Sequence, residues 1–161
     1  MNSRNFQKLR ESVGLSREDF ALVFELDDPK LVQVWEETGD QVPDAITRPL
    51  AELDAKIEAA VITEIDNFSN RAERDTILIR FLTETDFALY EPDLFEQFKM
   101  AAVHGAFIAR SKRAIERIGG EVTIAFMESN FYETWLGVND FDDTRDLRIA
   151  WARQQLRGLS N

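Results

Sequence analysis

The sequence predicts an α+β fold that is mostly helical, and three observations carry that prediction. Apolar residues recur at helical spacing through the first half of the chain. Two later runs of strand length, Thr76–Leu82 (TILIRFL) and Glu121–Met127 (EVTIAFM), are rich in β-branched residues. A long helical stretch, about Asp93–Ile118, lies between them and ends at Gly119-Gly120. With 161 residues, 44% of them hydrophobic and 30% charged, the chain can bury a core.

Each element has a local reason. Asn5–Val13 sets Phe6, Leu9 and Val13 on one helical face, and Gly14 ends it. Ser16 with Asp19 three residues on predicts a capping box for a helix over Ser16–Phe24 that buries Phe20, Ala21 and Phe24. Asp28 before Pro29 reads as an N-cap followed by proline at the first helical position, opening a third helix to about Glu37. Pro43 and Pro49 start or kink the later segments, and the stripe Leu50, Leu53, Ile57, Val61 and Ile65 predicts a long amphipathic helix to about Asp66. Strand, helix and strand then form a parallel βαβ unit with a right-handed crossover. Two helices close the chain, about Asn130–Leu136 and Thr144–Leu156. The polar segment Asn67–Thr76 divides an N-terminal domain (1–66) from a second one (67–161). Two strands make a poor sheet alone, so pairing across a homodimer is expected of that second domain.

Composition narrows the function. Thirty acids against nineteen bases leave a net charge of −11, of which −7 falls on residues 1–72 and −4 on the remainder. A protein that coats nucleic acid through general basicity is excluded, and any such contact must be local. Having no cysteine, the chain can form no disulfide, Cys-ligated zinc site, iron–sulfur cluster or thiol nucleophile. The first residues lack the apolar stretch of a signal peptide, and no run approaches the ~18 apolar residues of a membrane span. A cytoplasmic protein is expected.

The three short N-terminal helices have the lengths and spacing of a helix-turn-helix. In that arrangement Ala21 allows close crossing, Leu26 plugs the turn, and Val32 and Trp35 face inward. Lys30, Leu31, Gln33 and Val34 are left to meet a major groove. The run Leu9–Ala21 (LRESVGLSREDFA) resembles the start of Cro/C1 (XRE)-type helix-turn-helix proteins. Trp35-Glu36 followed by Val42-Pro43-Asp44 is similar to the YdiL-like branch, which includes repressors associated with anti-CRISPR operons. The resemblance spans about Asn5–Leu53 and implies a dimeric DNA-binding regulator that represses an operon. Glu25 stands where the family usually has glycine, a position of positive φ. The connection before Trp35 is one residue longer than usual, and Asp27, Asp28, Glu36 and Glu37 flank a reading helix whose single base is Lys30.

The expected contacts derive from side-chain chemistry. Arg17, with Lys8 and Arg48, would hold phosphates, while Lys30, Leu31 and Gln33 would face base edges, Gln33 being able to read adenine bidentately. The partner would be a palindromic operator bound by a homodimer. The other reading is a protein-interaction module on a helix-turn-helix that no longer binds DNA, in keeping with its acidity.

Other constellations have plainer readings. The basic cluster Arg110, Lys112, Arg113 and Arg117 suits a helix C-terminus, and could also contact phosphate or an acidic subunit surface. His104 reads as a helix-surface or partly packed imidazole. The acids Asp140, Asp142, Asp143 and Asp146 lack the glycine and glutamate of a calcium loop, and Asp143 reads as a helix N-cap. Phe131, Tyr132, Trp135, Leu136 and Trp151 read as a secondary core over the sheet. Absent a phosphate loop, a nucleophile elbow or a metal-spaced histidine pair, no catalysis, metal or cofactor is expected.

Overall fold

Phe6 is the pivot of the N-terminal helices. Fully buried, it meets Phe20 and Trp35 edge-on at centroid distances of 5.4 and 6.0 Å. The computed structural model describes residues 1–39 and 41–158. Its first three helices are α1 (Ser3–Ser12), α2 (Arg17–Val23) and α3 (Lys30–Glu37). The 26-residue α4 (Asp44–Ser69) comes next, then β1 (Asp75–Arg80), α5 (Glu84–Tyr90), α6 (Pro92–Phe98) and α7 (Ala101–Arg117). The chain closes with β2 (Glu121–Phe126), α8 (Ser129–Asn139) and α9 (Arg145–Gly158). The fold is therefore α+β and mostly helical.

The ends of the first two helices show the same device with different residues. At α1, Gly14 (φ 85°) lets Leu15 N–H reach the Arg10 carbonyl and its own N–H reach that of Glu11. At α2, Leu26 N–H bonds the Ala21 carbonyl and Glu25 N–H that of Leu22. This is the Schellman closure, which needs a left-handed residue after the cap. Glu25 supplies it at φ 52°, the positive φ expected of that position. The capping box at Ser16 and Asp19 is present.

Several boundaries shift for local reasons. Helix α1 starts at Ser3 rather than Asn5, because the Asn2 side chain accepts from Asn5 N–H. Helix α3 opens at Lys30, so that Pro29 and not Asp28 is its N-cap residue, while the Asp28 carboxylate accepts from the Lys30 N–H two residues on. Pro49 does not begin α4; it lies inside the helix, and α4 extends to Ser69, through the start of the expected Asn67–Thr76 boundary. Leu82 and Met127 fall outside the strands. The single helix expected over Asp93–Ile118 is two, broken where Lys99 turns left-handed (φ 64°), and α5 precedes them unannounced. Thr144, not Asp143, caps α9 through its hydroxyl.

Strands β1 and β2 are parallel and in register from Asp75↔Glu121 to Arg80↔Phe126. β1 buries Thr76, Ile77 and Leu78 in succession between α7 and α9, whereas β2 is more open. Helix α4 packs most extensively on α7, and one apolar core runs from Phe6 through Ile57 and Ile108 to Trp151. Phe131 departs from expectation: it is 66% exposed, while Tyr132 and Trp151 are buried. Among the described residues no helix is long and apolar enough to cross a membrane.

Candidate nucleic-acid interface

Helix α3 turns Val32 and Trp35 toward α1 and α2 and leaves Lys30, Leu31, Gln33 and Val34 exposed. At 100° per residue, Lys30, Gln33, Val34 and Glu37 form the outward stripe. Gln33 donates to Glu37 at 2.8 Å along that stripe, an exposed bond that a base edge can replace. Of the candidate reading residues, Lys30 and Gln33 thus share one face with Val34, while Leu31 is exposed on its flank, about 160° round the helix from Gln33.

The acids around that face are not equivalent. The Glu36 side chain is only 1% exposed and is clamped by two arginines, accepting from Arg10 Nε at 2.6 Å and Arg17 Nε at 2.7 Å. Arg10 is itself buried and also donates to the Leu15 carbonyl at the end of α1. Glu36 thus does not face phosphate as an open charge; Asp27, Asp28 and Glu37 do remain exposed. The hydrogen bond to Glu36 holds the Arg17 guanidinium above its ordinary value. Arg17 stands beside α3 as expected, but its charge is already matched there.

The two remaining phosphate candidates lie elsewhere. Lys8 is two residues from both Phe6 and Arg10, which reach toward α3, so it occupies the opposite side of α1. There it lines an open cleft of about 610 Å³ with Arg80, Gly105, Arg110 and Arg113. Arg48 is exposed near the start of α4. Lys8 is therefore brought to α7 and not to the reading stripe.

The basic cluster of α7 divides as well. Arg110 crosses to α4, bonding Asp54 at 2.7 Å and Glu58 at 2.5 Å, and also the Ser12 carbonyl. Lys112 pairs with Glu116 and donates to the Val122 carbonyl. Among the described residues, Arg113 reaches only the Ala109 carbonyl of its own helix. The separation of Arg110 from Asp54 and Glu58 in the chain concealed this clasp from sequence reasoning.

A second polar constellation, missed in the sequence, lines a small cavity of about 40 Å³ behind β1. Arg145 pairs with buried Glu64 at 2.5 Å, and buried Arg148 pairs with Glu91 and Asp143, each at 2.9 Å. Burial pushes the Glu91 carboxyl up against the opposing pull of Arg148. Burial also works against the Arg145 charge, yet Glu64 holds it above its ordinary value. Asp143 further accepts from the Tyr132 hydroxyl at 2.7 Å; burial first, and this bond second, push that phenol up.

His104 lies in the same wall and is 2% exposed, packed among Phe81, Phe87 and Phe107. This corrects the partly packed, surface imidazole expected of it. Its Nδ1 has no hydrogen-bond partner, and burial, then the nearby charge of Arg80, lower its pKa to about 3. It is a neutral ring near pH 7, enclosed by aromatic side chains. Among the described residues no cluster of three or more acids or histidines could hold a metal ion.

The family model described as "Domain of unknown function (DUF4447)" matches residues 1–156. No curated protein matches the chain.

Proposed function

The chain belongs to the DUF4447 family, and on the geometry of α3 we propose that it is a sequence-specific DNA-binding regulator, a dimeric repressor without catalytic activity. The observation that carries this reading is the outward stripe of α3. A compact trihelical scaffold holds Lys30, Leu31, Gln33 and Val34 in solvent on a short helix. Gln33 has the amide for adenine, Leu31 and Val34 suit thymine methyl groups, and Lys30 suits phosphate or guanine. Internal pairing of Glu36 with Arg10 and Arg17 removes one of the four acids that would oppose a phosphate backbone.

A dimer presents two such helices to half-sites about one helical turn apart. The side of the molecule bearing exposed Phe126 and Phe131 beside the two-stranded sheet suits the contact between copies. This function places the protein in the cytoplasm.

Unbiased selection from random duplexes tests the proposal. It should enrich a palindrome; Gln33→Ala should relax the preference at one position per half-site, and Lys30→Ala should reduce the salt slope by about 1. No enrichment, and no complex at ~50 mM salt, would overturn it.

A second reading rests on its own observation. Leu22 is 73% exposed on α2, Leu31 42% and Val34 49% on α3, and Asp27, Asp28 and Glu37 are exposed on α3 and the turn before it. An apolar patch with an acidic rim suits a protein surface that is apolar with a basic border. Failure of DNA selection together with loss of a protein complex in Leu31→Asp would favour it.

A further inference from the structure

The cleft between α1 and α7 is lined by three cations, Lys8, Arg80 and Arg113, that pair with no carboxylate among the described residues. Its floor is made of small residues, Gly14, Ala102, Gly105 and Ala106, because the α1–α2 turn approaches α7 closely. Gly14 has a left-handed φ of 85°, and a Cβ there would press on the Ala102 carbonyl oxygen. The Arg80 guanidinium lies over Gly105, in space that a side chain at 105 would take. Arg80 ends β1 half-buried, and among the described residues no carboxylate pairs with it.

Lys8 on one wall and Arg113 on the other are exposed and likewise have no acidic partner among the described residues. The carboxylate lining the cleft, Glu11, is engaged by Gln7 at 2.9 Å and Arg10 at 3.4 Å. Arg110 is neutralised by Asp54 and Glu58. Three unmatched cations therefore converge from α1, β1 and α7 on a floor without side-chain bulk.

We propose that this cleft binds a small anion carrying more than one phosphoryl group, received by Arg80 on the floor and by Lys8 and Arg113 on the walls. Arginine guanidinium groups match phosphate oxygens in geometry and charge. Gly105 and Arg113 stand two turns apart on α7, about 12 Å along its axis, which favours a ligand with separated phosphoryl groups over a single phosphate. No aromatic ring lines the cleft, so the phosphoryl groups, and not a stacked base, are recognised. A rod-like duplex would meet Lys8 and Arg113 at the rim, whereas a half-buried floor arginine is within reach of a small molecule.

Isothermal titration of the full chain with inorganic tripolyphosphate at fixed ionic strength tests this. One molecule should bind per chain, and orthophosphate should bind more weakly. Arg80→Met, which keeps the apolar stem, should weaken binding about tenfold or more. Gly105→Ala should also weaken it by displacing the guanidinium while keeping the charge, and Lys30→Ala should leave it unchanged. Equal affinity for tripolyphosphate and a nucleoside triphosphate would support recognition without the base. Unchanged binding in both Arg80→Met and Gly105→Ala would overturn the proposal, as would no binding heat at all. Loss of duplex binding in Arg80→Met equal to the loss of tripolyphosphate binding would reassign the cleft to nucleic acid.

Discussion

Two places where this acidic chain gathers positive charge treat it in opposite ways. Beside α3, Arg10 and Arg17 both end on Glu36, a carboxylate sealed from water. In the α7 cleft, Lys8, Arg80 and Arg113 line one opening with no carboxylate to take them up among the described residues. The first arrangement stabilises a fold by pairing charge; the second leaves like charges close together, which costs stability unless an anion arrives. Counting bases along the chain therefore misjudges where an anion is received. What matters is which bases remain unmatched after folding.

The strongest way to break this contrast is Glu36→Gln. It strands the buried Arg10 charge, and chemical denaturation should show a loss of about 3–5 kcal/mol. A loss below about 1 kcal/mol would mean that water reaches the clamp and that the two regions do not differ as described.

On the cleft side, His104 adjoins Arg80. Its folded pKa of about 3 lies below its unfolded value, so the unfolded chain takes up a proton that the folded one refuses. Stability falls as pH drops below about 6.5, by about 1.4 kcal/mol per pH unit, until pH approaches the folded pKa. His104→Phe removes that contribution. The stability of the variant relative to the native chain should rise by about 2 kcal/mol between pH 6.5 and 5. Parallel pH curves would show the imidazole to be wet.

Glu25→Gly relieves a left-handed non-glycine residue in the α2–α3 turn and removes an acid near α3. An increase of about 0.5–1 kcal/mol is expected by thermal denaturation. The smallest effect sharpens the contrast most: Arg113→Ala should change stability by less than about 0.5 kcal/mol, because no carboxylate loses a partner.

The parts of the fold legible in the sequence are those decided within a few residues. The capping box at Ser16, the amphipathic α4 stripe and the two β-branched strands all carry their cause locally, whereas the left-handed Glu25 is expected only from the helix-turn-helix resemblance. The outward stripe of α3 was legible too, since Val32 and Trp35 declare the inward side. Missed features depend on distant partners. Nothing near Glu36 in the chain announces Arg10, 26 residues away, and nothing near Gly105 announces Arg80. Asp143 has the form of an N-cap, yet Tyr132 and Arg148 take its oxygens. The break at Lys99 escaped notice because lysine gives no signal of left-handed backbone.

Helix α4 has a consequence for how the chain is made. Its apolar stripe from Leu53 to Phe68 is completed largely by α7, whose residues are synthesised some fifty positions later. At ~5–20 residues per second, that stripe waits uncovered for several seconds as the polypeptide leaves the ribosome. The nascent N-terminal helices therefore emerge with an adhesive flank, and recruitment of a chaperone during translation is to be expected until Phe107 and Ile108 arrive to cover it.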